Sequence, residues 1–450
     1  MAALRRALVP LALLLVAACS SHGAPRGAPA TPSPPSSTAT STAGSAAAAP
    51  TTTTTLPPPP LGPQLDATLV NTDACLVVRA PGGAVLYDHQ GGLPLAPAST
   101  EKLLVAAAAL AVLGPSYTFT TKVEAARPPL FGHVGDLWLV GGGDPVLSSP
   151  EFTFFLGATP SIAGQPVTTS MAALADQLEA AGVRVVAGGI HGDDSRYDRT
   201  RFLAAWSPSE VLGANVAPLG ALEVDDGLDQ WKPPRLTTDP AAHAAGVLAR
   251  LAGARGIAAA QAADGTAPAG AVVLASVTSP PLADIVTSML RNSDNTAAEM
   301  LVRELDRAAG GTGTTAGGLA VVAREAVALG LPTAGLHLDD GSGLAASDRA
   351  SCDTLLAALD LSTQPRFAAM GQLSVAGEYG TLIDRFLGTP AVGHVEAKTG
   401  SIDGVAGLVG RMDEHTPLEF AFLLNGRFGY ATGVAYGNRV IAALGTYTGS

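Results

Sequence analysis

The sequence predicts an α+β fold in which an antiparallel sheet and its helices are interrupted by an inserted α+β domain. Three observations carry this. Apolar, β-rich runs stand near both ends of the globular part, "ACLVVRAPGGAVLYDH" at 74–89 and "HVEAKTGSIDGVAGLVGRM" with "LEFAFLLNG" at 394–426. Helical patterns follow the first run and precede the second, notably "ASTEKLLVAAAAL" (98–110) and "SPPLADIVTSMLRNSDNTAAEMLVREL" (279–305). Between them the pattern keeps changing. Strand-like "DLWLVGGGDPVL", helix-like "MAALADQLEAAG", strand-like "VRVVAGGIHGDDS" and helix-like "DPAAHAAGVLARLAG" succeed one another, which predicts an insert over 118–276.

From the N-terminus, "MAALRRALVPLALLLVAAC" (1–19) has a basic start, an apolar centre and small residues before Cys19, the pattern of an export signal. Its apolar stretch is shorter than the roughly 20 residues that a membrane span needs. "VAAC" resembles a bacterial lipobox, which makes Cys19 the expected site of lipidation and a membrane anchor. Residues 20–63 are rich in Pro, Ser, Thr and Ala and have almost no large apolar side chain, so they are read as a disordered linker. The catalytic domain is then discontinuous, 64–117 plus 277–450, closed by a C-terminal helix near 436–447. Pro81-Gly82-Gly83 marks a hairpin between the first two strands. Cys75 and Cys352 are left either as a disulfide or as two buried thiols.

Composition excludes some functions. In 450 residues, 47 % hydrophobic, the net charge is -12, which argues against nucleic-acid binding. The eight histidines are scattered without metal-ligand spacing, no Gly-x-Ser-x-Gly elbow occurs, and "GGGDP" (141–145) lacks the rest of a phosphate-binding loop. No metal or cofactor is expected.

Chemistry concentrates in three strings: Ser99-Thr100-Glu101-Lys102, Ser293-Asp294-Asn295 and Lys398-Thr399-Gly400. The chain has four lysines against 22 arginines, and two of the four fall inside these strings. A lysine can lose its proton when desolvated, whereas a guanidinium effectively cannot. Spaced i, i+3 at a helix start, Ser99 is the expected nucleophile and Lys102 its proton acceptor. The bland alternative is that Ser99 caps the helix and Lys102 lifts its ammonium to water. Ser293 is expected to relay a proton to the leaving amine and Asn295 to hold Lys102 and substrate, with Asp294 pointing away. Lys398 and Thr399 are expected to bind a substrate carboxylate, with Gly400 admitting the substrate backbone. The Ser99 and Ser401 N–H groups are the expected oxyanion donors.

In order and type, these strings match the Ser-x-x-Lys, Ser-x-Asn and Lys-Thr-Gly set of penicillin-binding proteins and serine β-lactamases. With "LWLVGGGDPVL", "GIHGDDSRYD", "VAPLGALEVDDG", "LDDGSGLAASDR" and "VEAKTGSIDGVAGLVG", the chain over 64–450 resembles the D-Ala-D-Ala carboxypeptidase/endopeptidase family, the class C low-molecular-mass penicillin-binding proteins. The resemblance implies a serine β-lactamase/transpeptidase-like domain, an antiparallel sheet flanked by helices plus a helical lobe, with a domain inserted between the first two motifs. It implies cleavage of peptidoglycan stem peptides through an acyl-enzyme on Ser99, extracytoplasmic action and acylation by β-lactam antibiotics. It also implies that Arg349 contacts the free end of a diaminopimelate side chain. Asp403, after Ser401 and Ile402, departs from the family's usual small or neutral residues and is expected to bias the same subsite toward an amine. The rival readings are a serine β-lactamase, for which no Glu-x-x-Leu-Asn loop is present, and a non-catalytic wall-binding lipoprotein.

Overall fold

The computed structural model describes residues 61–69 and 73–449; the export signal, Cys19 and the linker to residue 60 lie outside the described residues. Helix α1 (Leu61–Leu69) starts inside the predicted linker, because Leu61, Leu65 and Leu69 recur at helical spacing and bury one face. Strands β1 (Asp73–Arg79) and β2 (Val85–His89) form the expected hairpin. A 3-10 turn (Ala98–Glu101) leads into α2 (Lys102–Val112).

The chain then leaves through β3 (Thr120–Ala125), β4 (Leu137–Val140), α3 (Met171–Ala180), β5 (Val185–Asp193), α4 (Pro240–Gly253), β6 (Ala258–Asp264) and β7 (Val272–Thr278). It returns through α5 (Leu282–Asn292), α6 (Asn295–Ala308), α7 (Thr315–Ala328) and α8 (Cys352–Asp360). It ends with β8 (Val395–Ile402), β9 (Val405–Met412), β10 (Leu418–Asn425) and α9 (Tyr430–Gly445). Helix α9 begins earlier than the sequence reading placed it, at Tyr430, and buries Gly433 and Gly437 along with its apolar residues.

The terminal strands make one antiparallel sheet in the order β8, β9, β10, β1, β2, with a two-residue strand, Ser374–Val375, beside β8. Both faces are covered. Along β1, Cys75 and Val77 face a core built with α2 and α5 to α8, while Ala74, Leu76 and Val78 face a second core with α1 and α9. Such double burial explains why β1 and β10 read as near-continuous apolar runs, each large side chain contributing roughly 1.5–3 kcal/mol. Helix α2 runs through the first core, with Lys102 to Leu110 all buried. Cys75 and Cys352 are bonded (Cα–Cα 6.0 Å), fastening β1 to α8.

The interposed segment has its own mixed sheet, in the order β6, β5, β4, β3, β7, with α3 and α4 supplying the core on one face. Its first and last strands pair antiparallel from Thr120–Thr278 to Ala125–Val272, so the chain departs and returns side by side. The return strand runs to Thr278, slightly beyond the expected boundary. Residues 194–239 carry a short helix (Pro208–Leu212) and a hairpin (Leu228–Trp231 with Pro234–Leu236), and part of this stretch lies against the three motifs.

Candidate active site

The Ser99–Lys102 spacing works because the residues between them form a 3-10 turn, whose roughly three residues per turn bring i and i+3 onto one edge. Helix α2 proper begins only at Lys102. Ala98, just before the serine, is held in the left-handed region at φ +46°, where a side chain is disfavoured, and this sets the entry into the turn. Neither helix start has a side-chain cap, so the Ser99 hydroxyl is not spent on capping. It lies 2.9 Å from Lys102 Nζ.

Lys102 is fully buried and does not reach water. Its Nζ also donates to Asn295 Oδ1 (2.6 Å) and to the Ser342 carbonyl (2.6 Å). Desolvation pulls its pKa down to about 8, against the opposing pull of Asp340, Glu299, Asp294 and Glu101. A neutral amine has two N–H bonds and one lone pair. With two partners that only accept, the lone pair is left for the Ser99 hydroxyl. The orientation of the Asn295 amide is fixed from its other side, where Nδ2 donates to the Asn215 carbonyl (2.6 Å).

Ser293 ends α5 in a left-handed conformation (φ +59°) and turns its hydroxyl to Lys398 Nζ at 2.8 Å. Asp294 caps α6 by accepting from the Ala297 N–H (2.9 Å), and it was expected to point away, yet its buried carboxylate stays near enough to Lys102 to favour the ammonium. Lys398 is fully buried, and burial together with the nearby Lys102 charge pushes its pKa well down. Its second partner is the Thr399 carbonyl (2.7 Å), and it has no carboxylate partner among the described residues. Thr399 Oγ1 donates to Thr381 Oγ1 (2.8 Å).

Gly400 answers a need that the sequence did not show. A Cβ there would stand 2.6 Å from the Pro97 carbonyl, so its smallness lets β8 abut the nucleophile's own turn. Ser374 and Val375 pair only with Ala397 and Glu396, so among the described residues no strand lies beside the outer edge of β8 from Lys398 onward. Ser401 is exposed near the end of this edge, and Asp403 is exposed in the turn between β8 and β9. Arg349 folds back to donate to the carbonyls of Ala346 (2.9 Å) and Asp348 (2.7 Å). The structure thus joins Ser99, Lys102, Ser293, Asn295 and Lys398 in two amine–hydroxyl networks. It leaves Arg349 and Asp403 outside both.

Sequence reasoning missed the partners that are backbone carbonyls, Ser342 and Asn215, since any residue type can offer one. It also missed a group of buried acids below the turn. Glu101, Asp340 and Asp348 bring carboxylate oxygens within 4.8 Å of one another, the one group among the described residues close enough to hold a cation. Burial and mutual repulsion push Glu101 well up and Asp348 up to about 8. Glu299, on α6, is pushed up to about 8 for the same reasons.

A cleft continues from Ser293 and Asn295 toward the interposed segment, walled by Phe152, Asn215, Asp226 and Trp231. A covalent nucleophile, an amine able to take its proton, a second hydroxyl on a second amine and an open strand edge suit acyl transfer on a peptide.

Comparison with known proteins agrees. The model of the D-Ala-D-Ala carboxypeptidase 3 (S13) family matches residues 64–233 and 231–442. The chain is 33 % identical to a D-alanyl-D-alanine carboxypeptidase of Actinomadura sp., over 83 % of this chain and 81 % of that protein. It is 31 % identical to a carboxypeptidase of Mycolicibacterium smegmatis, over 81 % and 80 %. Among solved structures, penicillin binding protein 4 of Haemophilus influenzae superposes with a TM-score of 0.70 at 20 % identity, covering 86 % of this chain and 99 % of that one, which shows a shared fold. The same protein in complex with a β-lactam superposes at 0.64.

Proposed function

The chain belongs to the D-Ala-D-Ala carboxypeptidase 3 (S13) family and is a serine-type carboxypeptidase acting on peptidoglycan, and from that premise we propose how its own residues carry the reaction. Ser99 is the nucleophile. Neutral Lys102 takes the hydroxyl proton as Oγ attacks the carbonyl between the two terminal D-alanines of a stem peptide. The oxyanion forms against the N–H groups of Ser99 and Ser401, on the open edge of β8 where the substrate pairs as an added strand. As the C–N bond breaks, Ser293, its hydroxyl held by Lys398, relays to the departing amine the proton that Lys102 took from Ser99, which leaves Ser293 protonated and Lys102 neutral again. Water then releases the acyl chain from Ser99. A D-Ala-diaminopimelate crosslink presents the same carbonyl, and a β-lactam acylates the same oxygen by ring opening.

The observation that carries this reading is the three-way coordination of buried Lys102 by Ser99, Asn295 and Ser342. In this assignment 64–117 and 277–450 form the catalytic domain and 118–276 is an inserted domain. Lys398 and Thr399 contact the substrate carboxylate, Gly400 admits the substrate backbone, Arg349 and Asp403 border the stem-peptide side chain, and Cys19 carries the lipid that holds the enzyme at the membrane outside the cytoplasm. The Cys75–Cys352 bond suits an oxidising compartment. Among the described residues no helix is long and apolar enough to cross a membrane.

The test is incubation with purified muropeptides, scoring free D-Ala and split crosslinks, alongside the intact mass after penicillin. D-Ala release and a stable penicilloyl adduct, both lost in Ser99→Ala, are expected. Rapid β-lactam turnover without an adduct would favour the lactamase reading, and no adduct at all the non-catalytic one.

A further inference from the structure

We propose that Asp340 is the positioning residue that aims Lys102 at Ser99, and that Trp206, from the interposed segment, holds Asp340 in place. The inference rests on the reading of Lys102 as proton acceptor.

Asp340 is fully buried, and its two oxygens accept four N–H groups. Oδ1 takes those of Ser342 (3.0 Å) and Gly343 (2.6 Å), and Oδ2 those of Ala345 (2.8 Å) and the Trp206 indole (2.7 Å). Three of the four come from residues 342–345, so the carboxylate winds that turn around itself. The turn touches the nucleophile's machinery twice. Ser342 offers its carbonyl to Lys102, and Gly343 (φ +80°) lies so near that a Cβ would sit 2.1 Å from the Ala98 carbonyl and 2.9 Å from the Ser99 nitrogen. Glu299 braces the turn from α6, its Oε1 accepting from Gly341 (3.0 Å) and Ser342 (2.8 Å). The fourth donor comes from the interposed segment, where the Trp206 ring is buried with Val216 and Leu219 and also against Leu344 of the turn itself.

A misplaced Ser342 carbonyl would free one N–H of the amine to rotate, and its lone pair would no longer be reserved for Ser99. Position matters steeply here, since displacements near 1 Å can cost about 10²-fold in rate. Charge adds a second signature. The groups facing Lys102 are Asp340, Glu299, Asp294 and Glu101, with Lys398 opposing them, and Asp340 is the strongest of those that favour the ammonium.

The experiment measures acylation of the full-length protein by a fluorescent penicillin from pH 5.5 to 10, separating binding from the first-order acylation step. Asp340→Asn is expected to lower the plateau of that step by roughly 10–100-fold and to move its acid limb to lower pH, which a purely structural loss would not do. Trp206→Phe, which keeps the ring and removes the N–H, is expected to lower acylation about tenfold with binding unchanged. The double variant should be no worse than Asp340→Asn alone, since both act through one contact. Multiplying losses, or an unmoved acid limb in Asp340→Asn, would overturn the proposal. Should Asp340→Asn fail to fold, Trp206→Phe decides alone, and wild-type acylation refutes the idea. Lys102→Arg separates the two levels. If it acylates normally the proton-acceptor reading has failed, and if it is silent while the Asp340 and Trp206 effects are independent, only the positioning claim has.

Discussion

Gly400 on β8 and Pro97 ahead of the nucleophile turn approach so closely that a single added methyl group would sit 2.6 Å from the Pro97 carbonyl, with Thr100 N and Cγ2 at 3.2 and 3.1 Å. The obstacle is mostly backbone, so it cannot swing aside. The distance between the strand that receives substrate and the serine that attacks it is therefore set by this contact. Gly400→Ala should push the two apart by several tenths of an ångström, reducing the acylation rate by roughly 10–100-fold at a stability cost of about 1–3 kcal/mol. A fluorescent-penicillin assay alongside thermal melting checks it, and an unchanged rate would show that the strand and turn give way without consequence.

The pH dependence of acylation follows from burial of Lys102. With its pKa pulled down to about 8, the amine is mostly protonated below that pH, and the rate should rise through a limb centred there. Glu299 loses its proton in the same range. As it becomes negative it strengthens the hold of Lys102 on its own proton, so the limb should be shallower than a one-proton curve. Glu299→Gln, which keeps the acceptor oxygen, should steepen it.

The two motif lysines should part company under the same substitution. Lys102→Arg leaves a cation that cannot release a proton, and acylation should fall to near background. Lys398→Arg keeps a donor toward Ser293 while crowding a fully buried site, so acylation should drop yet stay at least tenfold above that of Lys102→Arg. Equal rates in the two variants would remove the distinction drawn between them.

Asp348 makes the fold sensitive to base. Its carboxyl holds a proton up to about pH 8 in the folded chain, while an unfolded chain releases it near pH 4. Between those values the folded state binds more protons, so the stability due to this group falls as pH rises. Asp348→Asn cannot ionise and should lose that slope, gaining roughly 1–3 kcal/mol on wild type between pH 5 and pH 8.5. Urea unfolding at the two pH values measures it, and parallel changes in both proteins would place the titration elsewhere.

Removing the Cys75–Cys352 bond by a double serine substitution frees a loop that spans 277 positions. The expected loss is about 2–5 kcal/mol in urea unfolding, with acylation retained in the folded protein.

The sequence makes the reacting side chains legible because their types and local spacings are themselves the chemistry: a serine and a lysine one turn apart, a hydroxyl and an amide around a helix start, a lysine on a strand edge. The strands of the first sheet are legible for a related reason, since burial on both faces writes itself as an unbroken apolar run. What stays hidden is whatever depends on position alone. The carbonyls of Ser342 and Asn215 reach Lys102 and Asn295 from far along the chain, and nothing in a residue's type advertises its carbonyl. The contact of Gly400 with Pro97 stays hidden for the same reason, because that neighbour stands some 300 positions earlier. Asp340 lies in a segment quoted only for its resemblance, and only its four donors show what it organises.

The adjoining strands at which the interposed segment departs and returns give the polypeptide an unusual kind of editability. Phe119 and Ser279 already hydrogen-bond across one interstrand gap, so a tight turn could splice them together and shorten the chain by about a third without displacing either end. The spliced molecule would keep both helical and sheet cores and all three motifs. It would also lose the Asn215 carbonyl and the Trp206 indole, the supports of Asn295 and Asp340. The segment's covalent joins are one pair of strands, yet Asp198, Thr200, Arg196 and Tyr197 also partner the buried Arg303 and Glu304 of α6, so it can be cut out as a length of polymer but not as a support of the site.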